Sequence, residues 1–394
     1  MKIMATLLAP LLSVPGICLA PLAAHSSDDA VAYQINASHS GNIVFNQQFT
    51  APLKLKWSIN LGAGISQASY PVIANHLVFV TAENSATLST TLFALDLHTG
   101  ATVWMKNIQN AGSFQWSQAT YDHGRLFVLD YTGDLFAFDP KTGNTIWQTT
   151  LTGSNLYESA PTAQGGQIFI FGAGDAGPLY AINEANGSVA WTAPVPSGNM
   201  GTPAVGGGGV YLTEPCQSYK FDPKSGALLW TYSNGGDGGG GKTAAYFGGK
   251  VYDRDPPCLG YIVLDAKSGN LAGTFGGSLI PAFWKGKSSL EVSLVDSQLL
   301  ATNLKSGNVA WTFAGDGYLL TAPIAVNDVV IEGSQLGNLY VLDASTGKQL
   351  WTTNVGFELS FTDEQSASIL PGLGAGENTL VVPGGNMVAA FVPK

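Results

Sequence analysis

The acidic side chains in the glycine-rich connections of this chain are among the residues most able to do chemistry. Only 11% of all residues are charged, so charges gathered at a few points are informative. Three carboxylates, Asp316, Asp363 and Glu364, could act as acid and base or bind Ca²⁺ through hard oxygen ligands. They are the candidate catalytic residues, although their spacing is not diagnostic of one reaction.

Other residues in similar connections could bind a ligand. Arg254 could bind an anion, or it could form an ion pair with Asp253, Asp255 or Asp237. Aromatic side chains could stack on sugar rings or on another flat ligand. The candidate ligand-binding residues are Trp116, Tyr157, Glu158, Glu214, Asp237, Lys242, Arg254, Asp255, Tyr318 and Phe361.

The histidines and the longest glycine run give no recognisable site. The histidines at positions 25, 39, 76, 98 and 123 are scattered, so the sequence predicts neither a zinc site nor a Ser-His-Asp arrangement. Residues 236–243 have the letters of a phosphate-binding loop, but a strand follows them where that loop requires a helix. Nucleotide binding is therefore not expected.

The elements that must position these residues come from an internal repeat. The unit reads Asx, two variable residues, a small polar residue, Gly, three residues and Trp. It begins at Asp96, Asp139, Asn183, Asp222, Asn303 and Asp343. A further copy at Asp265 has Gly273 in place of Trp. The turn glycines at 100, 143, 187, 226, 269, 307 and 347 recur at intervals typical of propeller blades.

Each repeat predicts a tight β-hairpin. A short apolar run precedes each Asx and another follows each Gly. An Asx side chain can accept hydrogen bonds from its own turn, and Gly adopts positive φ without a steric penalty. The recurrent Trp is predicted to pack between neighbouring units rather than to contact a ligand, because an aromatic ring buries a large area.

The two ends of the repeat array complete each other. Residues 56–61 resemble the Trp-bearing last strand of a unit whose earlier strands lie at 366–393. We therefore predict an all-β fold, an eight-bladed β-propeller of four-stranded antiparallel blades, closed by an N-terminal strand that joins the C-terminal blade. The predicted parts are a signal peptide at 1–24, an irregular N-terminal lead at 25–52 and one propeller domain at 53–394.

Export is expected from the N-terminus and from the cysteines. Lys2, an apolar run and small residues up to Ala24 are typical of a secretory signal, which predicts a secreted or periplasmic protein. Cleavage removes Cys18 and leaves Cys216 and Cys258, at equivalent points of consecutive repeats. We predict a disulfide between them, with two separate buried thiols as the alternative.

Composition limits the partners. The net charge of −10 argues against nucleic acid, and no later segment has the length of a membrane span. A monomer is expected. In a propeller of this topology the Asx turns decorate one face, the Asx-turn face. The candidate residues lie in the connections of the opposite, loop-rich face, where binding is expected on a rigid scaffold.

The turns and strands resemble the PQQ-like propeller repeat over essentially the whole mature chain. That family contains quinoprotein dehydrogenases, which use PQQ and Ca²⁺, and non-catalytic members such as an outer-membrane assembly lipoprotein. The chain lacks the adjacent cysteines and the Cys-x-x-Cys-His haem motif of such dehydrogenases. The resemblance therefore implies a propeller that binds a small-molecule, carbohydrate or protein ligand without redox activity. A polysaccharide-acting enzyme and a PQQ- and Ca-dependent dehydrogenase remain open, and an open or a plugged channel mouth would separate the hypotheses.

Overall fold

A computed structural model of the chain describes residues 26–108, 116–173, 177–196, 201–214, 216–235, 242–255, 258–362, 364 and 368–394. The regular elements of these residues are β-strands, and the described part of the chain contains no helix that could cross a bilayer. The strands form eight separate sheets, so the predicted eight-bladed propeller is confirmed.

The blades follow one another along the chain. Blade 1 contains β3 (Ile65–Ala68), β4 (Val72–Ala74), β5 (Leu77–Asn84), β6 (Ser89–Asp96) and β7 (Thr102–Ile108). Blade 2 contains β8 (Ser117–Asp122), β9 (Arg125–Asp130), β10 (Asp134–Phe138) and β11 (Thr145–Thr150). Blade 3 contains β12 (Thr162–Gln164), β13 (Gln167–Phe171), β14 (Pro178–Asn183) and β15 (Val189–Pro194). Blade 4 contains β16 (Ala204–Gly206), β17 (Gly209–Glu214), β18 (Gln217–Phe221) and β19 (Leu228–Ser233).

The remaining blades repeat the pattern. Blade 5 contains β20 (Ala245–Phe247), β21 (Lys250–Asp255), β22 (Gly260–Asp265) and β23 (Leu271–Thr274). Blade 6 contains β24 (Ala282–Lys285), β25 (Ser289–Val295), β26 (Gln298–Asn303) and β27 (Val309–Phe313). Blade 7 contains β28 (Ile324–Val326), β29 (Val329–Gly333), β30 (Asn338–Asp343) and β31 (Gln349–Asn354), and β1 (Asn42–Ile43) adds to it. Blade 8 contains β32 (Gly374–Gly376), β33 (Thr379–Gly384), β34 (Met387–Pro393) and β2 (Leu53–Asn60).

Blade 8 closes the ring. Its outer strand β2 pairs antiparallel with β34, with Leu53 opposite Pro393 and Asn60 opposite Met387. The N-terminal strand therefore completes a sheet whose other strands come from the C-terminal part, as the sequence predicts. Closure pairs the sheet edge that β34 would otherwise expose.

The repeated Trp packs between neighbouring blades, as predicted. Trp104 of blade 1 donates an indole hydrogen bond to the Pro140 carbonyl of blade 2 at 2.9 Å. Its ring lies 2.7 Å from the place that a Cβ on Gly143 would occupy, and Gly143 has a φ of +68°. The indoles of Trp57, Trp147, Trp191, Trp230 and Trp311 make the same contact with the next turn.

The seam between blades 5 and 6 lacks this contact. Gly273 stands where blade 5 would carry its Trp, and a Cβ on Gly307 of blade 6 would meet nothing within 4 Å. Gly307 still has a φ of +71°, so the turn itself is unchanged. The turn glycine therefore allows a positive φ in every repeat, and in most repeats it also leaves room for the Trp ring of the preceding blade.

Residues 28–43, here called the central segment, run through the propeller channel. They form little regular structure beyond β1, but most of them are buried. Main-chain oxygens of the segment accept hydrogen bonds from the inner strands of several blades, namely from Ile73, Tyr121, Val205, Tyr246, Phe283 and Ala325. These donors lie toward the hairpins that follow the inner strands, so the segment fills the channel at the Asx-turn end.

Candidate functional site

A buried ion pair lies on the channel side of blade 5. Arg254 in β21 is fully buried, and its Nη2 donates to both carboxylate oxygens of Glu364 at 2.6 and 2.7 Å. The same guanidinium donates to the Thr243 carbonyl at 2.9 Å and to the Ser278 carbonyl at 3.2 Å. Both terminal nitrogens of Arg254 are thus occupied by protein acceptors.

Glu364 is equally engaged. Its carboxylate also accepts the Tyr33 hydroxyl at 3.0 Å and the Thr243 amide at 2.8 Å. Burial alone would raise the pKa of Glu364, but the charge and hydrogen bonds of Arg254 bring it below its usual value. Burial and the neighbouring Glu364 raise the pKa of Tyr33 well above its usual value. The group therefore consists of the charged Arg254–Glu364 pair and the neutral Tyr33 phenol, which donates a hydrogen bond to Glu364.

The expected partners of Arg254 are corrected by this geometry. Asp253 and Asp255 precede and follow Arg254 in β21, and successive side chains of a strand point to opposite faces. Arg254 therefore turns away from both carboxylates and meets Glu364, 110 residues away in the sequence. Asp237 and Asp363, also proposed for this region, lie outside the described residues.

Three carboxylates beside this pair, here called the acidic group, are buried with few hydrogen bonds. They are Glu214 at the end of β17 and Asp253 and Asp255 at the end of β21, and none is exposed. Both oxygens of Glu214 and Oδ1 of Asp255 have no hydrogen-bond partner, and Asp253 has only a weak interaction with the Thr213 hydroxyl. The other oxygen of Asp255 accepts the Cys216 amide.

Burial makes the charged form of these acids unfavourable. It raises the pKa of Asp253 to about 7 and raises that of Asp255 in the same direction. Burial, followed by the charges of Asp255 and Asp253, raises the pKa of Glu214 well above its usual value. A buried carboxylate without a donor takes up a proton or binds a cation, since an unpaired buried charge is costly.

The predicted disulfide is present next to the acidic group. Cys216 and Cys258 are bonded across the connections of blades 4 and 5, 42 residues apart in the sequence. Lys242 precedes blade 5, and its amide donates to the Arg254 carbonyl. The structure therefore places Glu214, Arg254, Asp255 and the disulfide in one sector of the loop-rich end.

The two aromatic residues expected to stack on a ligand near blade 2 belong to the core. Trp116 is 2% exposed and Tyr157 is 0% exposed, and both pack in an apolar cluster between blades 2 and 3. The Tyr157 hydroxyl is bonded to that of Tyr180. Neither ring offers a face to a ligand, so the stacking role expected of them is wrong. Their apolar neighbours on adjacent strands explain the burial.

The remaining candidates are dispersed. Tyr318 and Phe361 are half-exposed, and Glu158 is buried with one unpartnered oxygen. Asp316 caps its own turn, accepting hydrogen bonds from Ser334, Asn338 and the Tyr318 amide. Because Asp316 is engaged in this turn and Glu364 in its ion pair, the described residues do not assemble the acid–base pair expected from the sequence.

Two features were not expected from the sequence. Tyr33 and His39 of the central segment reach the channel, where His39 contacts the carbonyls of Tyr33 and Pro203. A polar groove of about 960 Å³ lies on the Asx-turn face, and Lys56, His98 and Glu377 are among its lining residues. The apolar run from Ala30 to Ile35, interrupted only by Gln34, was a signal of burial in the lead.

A family model described as outer membrane protein assembly factor BamB matches residues 26–156, 89–175, 158–274 and 219–392. These overlapping matches cover nearly all of the described chain. The chain belongs to the PQQ-like β-propeller family. One fold can carry many unrelated functions, so membership of this family does not by itself identify the ligand of this chain.

One curated relative of this PQQ-like propeller is the tetrathionate hydrolase of Acidithiobacillus ferrooxidans. The two are 28% identical over 301 residues, which is 66% of this chain and 58% of the relative. The chain therefore aligns with somewhat more than half of the hydrolase.

Solved structures resemble this PQQ-like propeller in fold. A europium-containing methanol dehydrogenase superposes with a TM-score of 0.69 at 14% identity, over 91% of this chain and 90% of that one. BamB from Moraxella catarrhalis gives 0.62 at 16% identity, over 86% and 100%. At these identities the likeness establishes the propeller fold alone.

Proposed function

We propose that this chain is an exported propeller that binds a small anion at the loop-rich end of its channel, through the acidic group and without redox chemistry. The observation that carries the proposal is the set of unpartnered oxygens on Glu214 and Asp255, next to Asp253, which has only the weak Thr213 interaction. In the neutral form each acid has an O–H group to donate, and a buried donor needs an acceptor. An oxyanion supplies such acceptors.

Nearby positive charge supports an anion as the ligand. Arg254 lies in the same strand as two of the acids, although its side chain points to the opposite face and pairs with Glu364, and the charge of Lys242 acts on Glu364. With the acidic group protonated, the two cations exceed the one remaining charge of Glu364. The positive field is therefore expected to grow as the pH falls toward the usual pKa of a carboxyl group.

The relative suggests the chemical class. Tetrathionate is an oxyanion whose terminal oxygens could accept hydrogen bonds from neutral carboxylic acids, and its hydrolysis is the activity named for the relative. We propose tetrathionate or a similar polythionate as the first ligand to test, with hydrolysis as the reaction class. In this step water would attack one of the two central sulfur atoms, the central S–S bond would break, and thiosulfate would leave with a proton from a neutral acid of the acidic group. The other half would keep the hydroxyl as HO–S–SO₃⁻, and the remaining proton of the water would return to the carboxylate.

PQQ fits the described residues poorly. It is a flat molecule with several carboxylates, whereas both terminal nitrogens of Arg254 are already engaged and the neighbouring side chains are acids. Trp116 and Tyr157 are buried away from the channel. Ca²⁺ fits better, because the same unpartnered oxygens are hard ligands when ionised. A cation site is therefore the second candidate at the acidic group.

Binding measured at two pH values tests the proposal. We expect tetrathionate to raise the melting temperature at pH 4 but not at pH 8, because a ligand that binds only the folded state stabilises it. Thiosulfate release should accompany binding at pH 4. Sulfate serves as the control anion and CaCl₂ as the test of the second candidate.

Variants separate binding from catalysis. Asp253→Asn keeps a neutral donor and is expected to extend tetrathionate binding toward pH 8 while it lowers turnover at least tenfold. Glu291→Gln is the matched control, since Glu291 is also buried but bonds to Ser293 outside the acidic group. A shift with Ca²⁺ at pH 8 and none with tetrathionate would replace the anion site by a cation site. No shift with either ligand would refute both.

A further inference from the structure

A second cluster of potential ligands lies on the Asx-turn face, far along the strands from the acidic group. Asp122 and His123 occupy the hairpin between β8 and β9 in blade 2. Glu184 follows Asn183, the first residue of the Asx turn in blade 3. The two hairpins therefore place these side chains at the junction of neighbouring blades, where a bound ion would join them.

The spacing of the three side chains suits a metal ion. His123 Nδ1 lies 3.0 Å from Asp122 Oδ2 and 3.0 Å from Glu184 Oε2. Ligand atoms bonded at about 2.1 Å to a tetrahedral Zn²⁺ are separated by about 3.4 Å, so these atoms need to move apart by only a few tenths of an ångström to bind the ion. A neutral imidazole has one N–H at most on Nδ1, so a single proton serves two carboxylates less well than a cation does.

The burial of Glu184 is an independent observation. Glu184 is 2% exposed, and its Oε1 has no hydrogen-bond partner. Two buried carboxylates that face each other require compensation, which a divalent cation provides without a proton.

The backbone holds the cluster in place. The His123 amide donates to Asp122 Oδ1 at 2.8 Å, and the Gly165 amide of blade 3 donates to Asp122 Oδ2 at 3.1 Å. The Glu184 carbonyl accepts the Trp147 indole at 3.0 Å. These contacts orient ligands as hydrogen bonds around metal sites commonly do. The His123 side chain is 27% exposed, which leaves a path for an ion.

We propose that Asp122, His123 and Glu184 bind one divalent transition metal ion, Zn²⁺ in the first instance, between blades 2 and 3. One imidazole nitrogen and two carboxylate oxygens are ligands that Zn²⁺ accepts, and water would complete the coordination. The charge of Arg125 acts on Glu184 and opposes a cation, so the affinity is expected to be moderate. This site is separate from the acidic group and does not depend on the proposed function.

Blade 1 contains a matched control. His76 occupies the corresponding hairpin and contacts a single carboxylate, Glu377, at 2.5 Å. Its side chain is 76% exposed, so it lacks both the second carboxylate and the burial found at His123. A metal that binds histidine–carboxylate pairs unselectively would use His76 as well as His123.

The experiment is a titration of the EDTA-treated, dialysed full chain with Zn²⁺ by isothermal calorimetry, with Co²⁺ absorption as the spectroscopic probe. We expect the wild-type protein and His76→Ala to bind one Zn²⁺ per chain. His123→Ala and Glu184→Gln should weaken binding at least tenfold and abolish the Co²⁺ band. Circular dichroism confirms that each variant is folded.

Two results would overturn the proposal. One is the lack of stoichiometric Zn²⁺ binding by the wild-type chain, a result that does not depend on any variant. The other is unchanged binding in both folded variants, or a loss confined to His76→Ala, which would place the ion at the exposed hairpin. Tetrathionate binding measured on His123→Ala should equal that of the wild type, so the two proposals fail independently.

Discussion

The two ends of the propeller channel treat their buried polar groups differently. At the Asx-turn end, main-chain oxygens of the central segment accept amides from the inner strands, so backbone groups pair with backbone groups. At the loop-rich end, Arg254 and Glu364 bind each other, but Nε of Arg254 and several oxygens of the acidic group have no hydrogen-bond partner. Unpartnered side-chain atoms also occur at the Asx-turn end, at Gln34, Asn42 and Glu184, but the loop-rich end gathers them on three neighbouring acids, which marks it as a candidate ligand site.

Loss of the central cation is expected to have the largest effect at the loop-rich end. Arg254→Ala leaves Glu364 buried beside Tyr33 without a counter-ion, which should lower the free energy of unfolding by about 3–5 kcal/mol. Guanidinium denaturation at pH 7 measures this change in the free energy of unfolding. Lys250→Ala, which removes a solvent-exposed pair with Asp265, should change stability little. Equal losses of stability in the two variants would mean that the Arg254–Glu364 pair contributes no more than a solvent-exposed ion pair.

The acidic group should reverse the usual dependence of stability on pH. Asp253 keeps its proton to about pH 7 in the folded state, whereas the unfolded chain releases it near the ordinary value of 3.8. Between these values the folded state binds more protons, so the free energy of unfolding falls as the pH rises, by on the order of 4 kcal/mol for this residue.

Asp253→Asn should reduce that slope between pH 4 and 7 without removing it, because Glu214, Glu184 and Glu291 also have raised pKa values and act in the same direction. The measurement is a series of denaturation curves at steps of pH for the wild type and the variant. Glu364 acts in the opposite direction, because its lowered pKa costs stability only as the pH falls below the usual 4.5. A wild-type stability that rises from pH 4 to 7 would contradict the neutral state of the acidic group.

The smallest expected effect concerns the Asx-turn face. Gly143→Ala and Gly307→Ala both place a side chain at a φ near +70°, but only the first pushes a Cβ into Trp104. The shared backbone strain should cost about 1–2 kcal/mol, and the Trp contact should add about 1–3 kcal/mol in Gly143→Ala alone. Thermal unfolding of the two variants gives the difference. Equal losses of stability in the two variants would show that the Trp104 ring moves aside at little cost.

Local chemistry made most of the fold predictable. The Asx and Gly of each turn determine a hairpin by themselves, and the period of the repeat determines the blade, so eight sheets and the composite blade 8 follow from the sequence. The disulfide was predictable because equivalent positions of adjacent repeats are close in space. Each of these inferences depends on neighbours along the chain or on one repeat step.

The polar contacts of the channel were less predictable. Glu364 meets Arg254 across 110 residues and Tyr33 across 331, and neither contact repeats with the blade period. The site of Asp122, His123 and Glu184 joins two hairpins, and the scattered histidines alone gave no sign of it. The repeat did give one indication of where Glu184 lies. The Trp147 indole donates to the Glu184 carbonyl, and this is the same contact with the next blade that the other repeated Trp residues make.

The central segment also has a consequence for the time course of folding. Residues 28–43 and strand β2 leave the ribosome before any blade is complete, yet their partners extend to Tyr33–Glu364 and Leu53–Pro393 contacts at the far end of the chain. Contacts of such separation form slowly, because the intervening chain must first be ordered. The central segment can pair early with Ile73 and Tyr121, but it and β2 lack their last partners until the C-terminal strands are ordered, and the last of these contacts closes the ring.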